Sequence, residues 1–130
     1  MRAQASLEYL LVSLISLSML TLSAAALLEI KDYSDSSAAL LRFRHSSETL
    51  LDAMGSVCAL GPGNSREVLL RSSISVESGD GGVRLRGAGS IARKLACDVV
   101  PEEGLEGTLI VENEKGRIRI SVSWLRQKNL

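Results

Sequence analysis

The N-terminal part of the chain is dominated by one uninterrupted apolar run. Residues 9–28 contain no charged residue, no glycine and no proline, and leucine is the commonest side chain. A run of about twenty residues forms roughly 30 Å of helix, which matches the hydrocarbon thickness of a bilayer. Because every backbone polar group must be paired internally in lipid, the run predicts a membrane-spanning helix. Its serines, threonine and alanines either allow close packing of helices or simply dilute the hydrophobicity of an anchor.

A second hydrophobic pattern follows the run and has a helical period. Beyond Glu29, apolar side chains recur in steps of three and four, while most charged residues lie at other positions. The recurring residues are Leu40, Phe43, Leu50, Leu51, Met54, Val57 and Cys58. The spacing predicts one helix from about residue 5 to residue 57, ended by the Gly-Pro-Gly at 61–63. Residues 34–37 are poor helix formers and predict a flexible joint.

Past residue 63 the pattern changes to alternation, which predicts strands. The predicted strands are residues 68–77, 83–86, 108–111 and 117–124. Glycine-containing turns join them into two hairpins. In the last strand one face is apolar, formed by Ile118, Ile120, Val122 and Trp124. Such a sheet needs a cover, which the amphipathic half of the helix can provide, so the predicted class is α+β with the helix packed on a small antiparallel sheet.

Two segments between the hairpins are less regular. Residues 90–100 contain apolar spacings that suit a helical turn and others that suit a strand. Residues 101–104, which include a proline, predict a loop whose two glutamates are solvated. Strand order is not readable from the sequence.

Charge and composition exclude several classes of function. The chain has 15 basic and 15 acidic residues, so it lacks the basic excess of a nucleic-acid-binding protein. His45 is the only histidine, and we expect it to be solvated rather than part of a triad or a metal site. The glycines at 79, 81 and 82 fall in a hairpin turn instead of a phosphate-binding loop. The sequence therefore predicts neither an enzyme nor a bound cofactor.

Cys58 and Cys97 are the two cysteines of the chain. A pair of this kind predicts one disulfide in an oxidising compartment, and the competing interpretation is two buried free thiols. No CxxC motif or His–Cys cluster is present, so a structural zinc site is not predicted. A bridge would clamp the sheet to the helix, and closing a loop of about forty residues stabilises a fold by roughly 4 kcal/mol.

The residues before the apolar run carry the most specific pattern. They read as a basic residue, a small residue, glutamine, any residue, serine, any residue, glutamate and an aromatic residue. The residues that fill the specified places are Arg2, Ala3, Gln4, Ser6, Glu8 and Tyr9. This segment resembles the class III signal peptide of archaeal type IV pilin-like proteins, and the resemblance covers these residues and the hydrophobic helix that follows.

The resemblance implies processing and then assembly. A prepilin-peptidase-type membrane protease cuts between Ala3 and Gln4 in such proteins, and the apolar helix stays on the mature chain. Independently of the resemblance, a carboxylate beside a membrane helix is costly unless it finds a partner. In a stack of subunits Glu8 can pair with the new amino terminus at Gln4 of a neighbour. The competing interpretation is that Glu8 snorkels to the membrane interface ahead of an ordinary anchor.

The predicted organisation has four parts. They are a cleaved leader (1–3), a transmembrane or filament-core helix (4–30), its amphipathic continuation (31–60) and an extracellular antiparallel β domain (61–130). Arg2 on the short flank, with Glu29 and Asp32 on the other, keeps the N-terminus cytoplasmic by the positive-inside rule. The expected partners are a prepilin peptidase, other pilin subunits and, before assembly, the cell membrane. The expected final location is a cell-surface filament.

Three interpretations of function follow. The first is a structural subunit, either a major or a minor pilin, of a surface filament. The second is a single-span, membrane-anchored extracellular binding module that does not polymerise. The third is a secreted soluble protein released by cleavage near Ala26, because residues 23–26 imitate a signal-peptidase site.

Overall fold

The computed structural model describes the backbone of residues 2–123 and the side chains of residues 3–123. Helix α1 (Arg2–Leu60) comes first and is followed by a six-stranded sheet. The strands are β1 (Ser65–Gly79), β2 (Gly82–Arg86), β3 (Ser90–Lys94), β4 (Asp98–Val99), β5 (Glu102–Glu114) and β6 (Arg117–Val122). The α+β class predicted from the periodicity is therefore confirmed.

The chain divides into two compact units, one ending at Ser37 and one beginning at Ala38. Among the described residues, the first unit consists only of residues 2–37 of α1. The helix continues through residues 34–37, where the sequence predicted a joint, and the hydroxyl of Ser36 donates a hydrogen bond of 2.9 Å to the carbonyl of Asp32. This bond satisfies the Ser36 hydroxyl within the helix.

The end of α1 lies where the Gly-Pro-Gly sequence predicted it. Gly61 takes a positive φ of 86° and donates its N–H to the carbonyl of Cys58 at 3.3 Å. The side-chain amide of Asn64 donates to the carbonyls of Leu60 and Gly61, at 2.9 and 3.1 Å. These bonds satisfy carbonyls that the last turn of a helix leaves open.

The six strands lie in the order β3-β2-β1-β5-β6-β4. Neighbouring strands are antiparallel except β4 and β6, which pair in parallel over two residues. The predicted hairpins are β1–β2 and β5–β6, and β1 pairs with β5 along much of its length. The sheet is therefore antiparallel, as predicted, apart from this one short edge strand.

Two further segments are strands that the sequence analysis did not assign as strands. Residues 90–94, which were ambiguous, form β3 against β2. Residues 102–104, which were predicted as loop, begin β5, and Gly104 donates its N–H to the Ser75 hydroxyl at 3.4 Å. Both strands exist because a neighbouring strand offers them backbone partners, and this long-range pairing does not depend on local propensity.

The core of the second unit lies between one face of α1 and the inner face of the sheet. The helix buries Phe43, Leu50, Leu51, Ala53, Met54 and Val57. The strands bury Val68, Leu70, Ile74, Val76, Val83, Leu85, Val99, Leu105, Leu109, Val111, Ile118 and Ile120. The predicted apolar faces of the helix and of β6 are thus confirmed, although Leu40 is half exposed and Trp124 lies outside the described residues.

Candidate functional site

The residues of the signal-peptide-like motif occupy the first turns of α1. The side chains of Ala3, Gln4, Ser6, Glu8 and Tyr9 are all exposed. The backbone of the preceding arginine is helical, and its side chain lies outside the described ones. Residues four apart share one face of a helix, so Gln4 and Glu8 project from the same side. The structure therefore brings the two predicted assembly residues together on one helical face.

The apolar run forms a helix surface that nothing covers within its unit. Its large side chains are more than half exposed, with Tyr9 at 78% and Leu22 at 75%. The helix is long and apolar enough to cross a membrane, with a mean hydropathy of 2.1 over its most apolar window and none of that window buried. A helix that is apolar all round is normally enclosed by lipid or by other apolar helices. This surface is therefore suited to contact with lipid or with other apolar helices.

The hydroxyl groups within the run are satisfied by the helix itself. Each of five hydroxyls donates to a carbonyl three or four residues earlier at 2.8 or 2.9 Å. These are the hydroxyls of Ser13, Ser16, Ser18, Thr21 and Ser23. A hydroxyl bonded in this way costs little to bury in an apolar environment. The run can therefore enter a membrane or a helix bundle without needing polar partners for its serines.

Glu8 is the exception on this apolar surface. It is the only charged residue between Ala3 and Leu28. Among the described side chains none makes an ion pair or a hydrogen bond with Glu8. Burial of an unpaired carboxylate costs several kcal/mol, so Glu8 needs either water or a cation wherever the helix is enclosed. The site thus combines an apolar association surface with one acid at its start.

A disulfide joins Cys58 to Cys97, whose Cα atoms are 5.9 Å apart. Cys58 lies in the last turns of α1, and Cys97 lies between β3 and β4, so the bond ties the helix to one end of the sheet. The bridge predicted from the cysteine count is confirmed, and the alternative of two free thiols is wrong. His45 is exposed on α1, as expected.

The sheet carries a second feature, a separation of charge, that the sequence analysis did not identify. Residues 82–94, which span β2 and β3, contain Arg84, Arg86, Arg93 and Lys94 and no acidic residue. Strand β5 contains Glu102, Glu103, Glu106, Glu112 and Glu114 and no basic residue. The zero net charge of the whole chain concealed this separation, and charge counted strand by strand would have revealed it.

Comparison of the chain with protein-family models, with curated proteins and with solved structures finds no match. A functional assignment therefore rests on the motif, the uncovered apolar helix and the bridged sheet domain. These three features lie in one chain of 130 residues.

Proposed function

We propose that the protein is a pilin-like structural subunit of a cell-surface filament. In this proposal a prepilin-peptidase-type protease cuts between Ala3 and Gln4, and the mature subunits assemble through the apolar part of α1. The observation that carries the proposal is Glu8, an acid on an otherwise apolar exposed helix surface that begins directly after the processing motif. No cofactor takes part in this function.

The chemistry of association follows from the exposed surface. Apolar helices associate through close van der Waals packing, which the small residues of the run support. Cleavage before Gln4 creates a new amino group, and this cation can pair with Glu8 of a neighbouring subunit. Because an unpaired carboxylate is costly in an apolar bundle, only arrangements that form this pair are stable. The pair therefore fixes the axial register of the subunits.

The proposed location is the membrane before assembly and the cell surface afterwards. The positive-inside rule places the N-terminus in the cytoplasm and the sheet domain outside. The disulfide supports this orientation because such bonds persist mainly in oxidising extracellular compartments. The partners in this proposal are the peptidase and other pilin-type subunits.

We expect Glu8→Ala to abolish filaments while leaving the protein processed and membrane-bound. The variant removes the partner of the new amino group but keeps the apolar surface that anchors the helix. The measurement is electron microscopy of cell surfaces, together with immunoblots of the membrane and sheared fractions. Glu29→Ala removes an acid at the other end of the run and serves as the matched control, for which filaments should persist.

Normal filaments in Glu8→Ala would contradict the role of this residue. The same experiment addresses the alternative, a single-span binding module, because the wild-type protein would then stay in the membrane fraction and form no filaments.

A further inference from the structure

Two stretches of open strand edge in the second unit carry opposite charge, within the part of the chain that the structure describes. Strand β3 pairs with β2 on one side only. Strand β5 pairs with β6 only from Leu109 onward, so residues 102–108 have a strand neighbour, β1, on one side only. Open strand edges are surfaces at which another chain can dock.

The edge formed by β3 and its neighbour β2 is basic. Arg93 and Arg86 already form ion pairs within the unit, with Asp52 at 3.0 Å and with Glu77 at 3.3 Å. Arg84 and Lys94 are exposed and make no ion pair with any described side chain. We call Arg84 and Lys94, with strand β3, the basic edge.

The open part of β5, beyond its pairing with β6, is acidic. Glu102, Glu103 and Glu106 lie on the open part of β5, and Glu103 and Glu106 are exposed. None of the three forms an ion pair with a described side chain. We call these three residues, with residues 102–106 of β5, the acidic edge.

Lys94 lies far from the acidic edge of its own subunit. It belongs to β3, which is separated from β5 by β2 and β1 in the sheet order. Neighbouring strands lie about 4.8 Å apart, so the backbones of β3 and β5 are roughly 14 Å from each other. An ion pair needs contact within 4 Å, so the acidic edge that Lys94 can reach is that of a second molecule.

We propose that the basic edge of one subunit docks against the acidic edge of a second copy of this chain. The two surfaces carry opposite charge, and both are free of neighbouring strands among the described residues. Because they are different surfaces of the same domain, the contact is head-to-tail and can repeat without closing, which generates a filament. The inference rests on the proposed function and adds a second contact, outside the apolar helix.

A zero-length carbodiimide cross-link in sheared wild-type filaments tests this contact. The reagent joins a lysine amine to a carboxylate that touches it, and the chain has lysines at 31, 94, 115 and 128. We expect a ladder of covalent oligomers and, by mass spectrometry, a peptide that joins Lys94 to Glu102, Glu103 or Glu106. The distance across one sheet excludes the same link within a subunit.

Charge reversal tests the energetic contribution of the contact. We expect Lys94→Glu to raise the fraction of unassembled subunits by about tenfold, because a close opposite-charge pair becomes a like-charge pair. Adding Glu103→Lys and Glu106→Lys to the same chain should restore assembly. Lys115→Glu, at an exposed lysine in the β5–β6 turn, makes the same chemical change away from both edges and should have little effect.

The outcomes separate this inference from the proposed function. Filaments in which Lys94 is not linked to the acidic edge, or in which Lys94→Glu behaves like Lys115→Glu, contradict the edge contact and leave the filament proposal standing. If the wild-type chain forms no filaments, both proposals are wrong.

Discussion

Asn113 joins three parts of the second unit although it is fully buried. Its side-chain amide donates to the carbonyl of Val57 in α1 at 3.3 Å, and its side-chain oxygen accepts from the N–H of Gly116 at 2.9 Å. Its backbone N–H and carbonyl bond to Asn64 and Gly63 at 2.9 and 2.8 Å. The residue thereby fixes the end of the helix against the β5–β6 hairpin. A buried amide with these bonds contributes stability that is lost when it is removed.

We expect Asn113→Ala to lower the free energy of unfolding by about 2 kcal/mol, because it leaves the Val57 carbonyl and the Gly116 N–H without their partner. The measurement is thermal unfolding of the full chain in detergent with the disulfide intact. The adjacent Glu114→Ala removes an exposed ion pair with Arg119 and should cost less than about 1 kcal/mol. Equal losses of unfolding free energy in the two variants would contradict a stabilising role for the buried hydrogen bonds of Asn113.

At the scale of elements, the packing of α1 on the sheet depends on a close approach at Gly87. A Cβ atom at this position would lie 2.7 Å from the ring of Phe43 and 2.7 Å from the backbone oxygen of Ser73. Both neighbours are held in place, since Phe43 is buried in the core and Ser73 lies in β1. Glycine is therefore required at position 87 because a side chain would not fit there, and not because of an unusual backbone conformation.

We expect Gly87→Ala to destabilise the second unit by about 1–3 kcal/mol through overpacking. Gly55→Ala provides the contrast, because Gly55 lies inside α1 with no atom within 4 Å of the added methyl group. That variant should be stabilised by roughly 1 kcal/mol through better helix propensity. Each kcal/mol corresponds to a shift of about 4–8 °C in Tm for a domain of this size. Shifts of the same sign in both variants would contradict this account of the packing.

Helix α1 was easier to predict from the sequence than the strands, for a physical reason. A helix is stabilised by contacts within a few residues, so the period of Phe43, Leu50 and Val57 was enough to identify the buried face. Strand β3 and the first residues of β5 depend on partners in other strands. The local pattern left β3 open between a helical turn and a strand, and it predicted a loop at residues 102–104. Leu40 has the right spacing but remains half exposed. Nothing in the sequence pattern around Asn113 indicated that this residue would be buried.

The parts of the candidate site differ in how far the sequence alone predicted them. The motif residues and the apolar run are contiguous, so the structure needed only a helix to place Gln4 and Glu8 on one face. The disulfide could be predicted from the number of cysteines, because two cysteines allow only one pairing. The basic and acidic edges were not predictable, since their grouping depends on the strand order and on which parts of β3 and β5 lack a neighbouring strand.

At the scale of the whole molecule, an apolar helix surface and a compact disulfide-linked domain are combined in one chain. An apolar surface of this extent is costly to expose to water, whereas the charges of the bridged domain are favoured there. A membrane meets both requirements for a single subunit, and a filament meets them for many. In the proposed function the residues before Gln4 are removed in both states, and the filament differs in that the resulting amino group pairs with Glu8 of a neighbouring subunit.

The most direct test is the intact mass and N-terminal sequence of the protein taken from native membranes and from sheared surface material. The proposed function predicts a chain that begins at Gln4 in both fractions, because processing precedes assembly and leaves the apolar helix in place. A chain that retains Met1 would instead indicate a plain membrane anchor. A chain that begins after about residue 26 would indicate a released domain, and either result would contradict the pilin-like assignment.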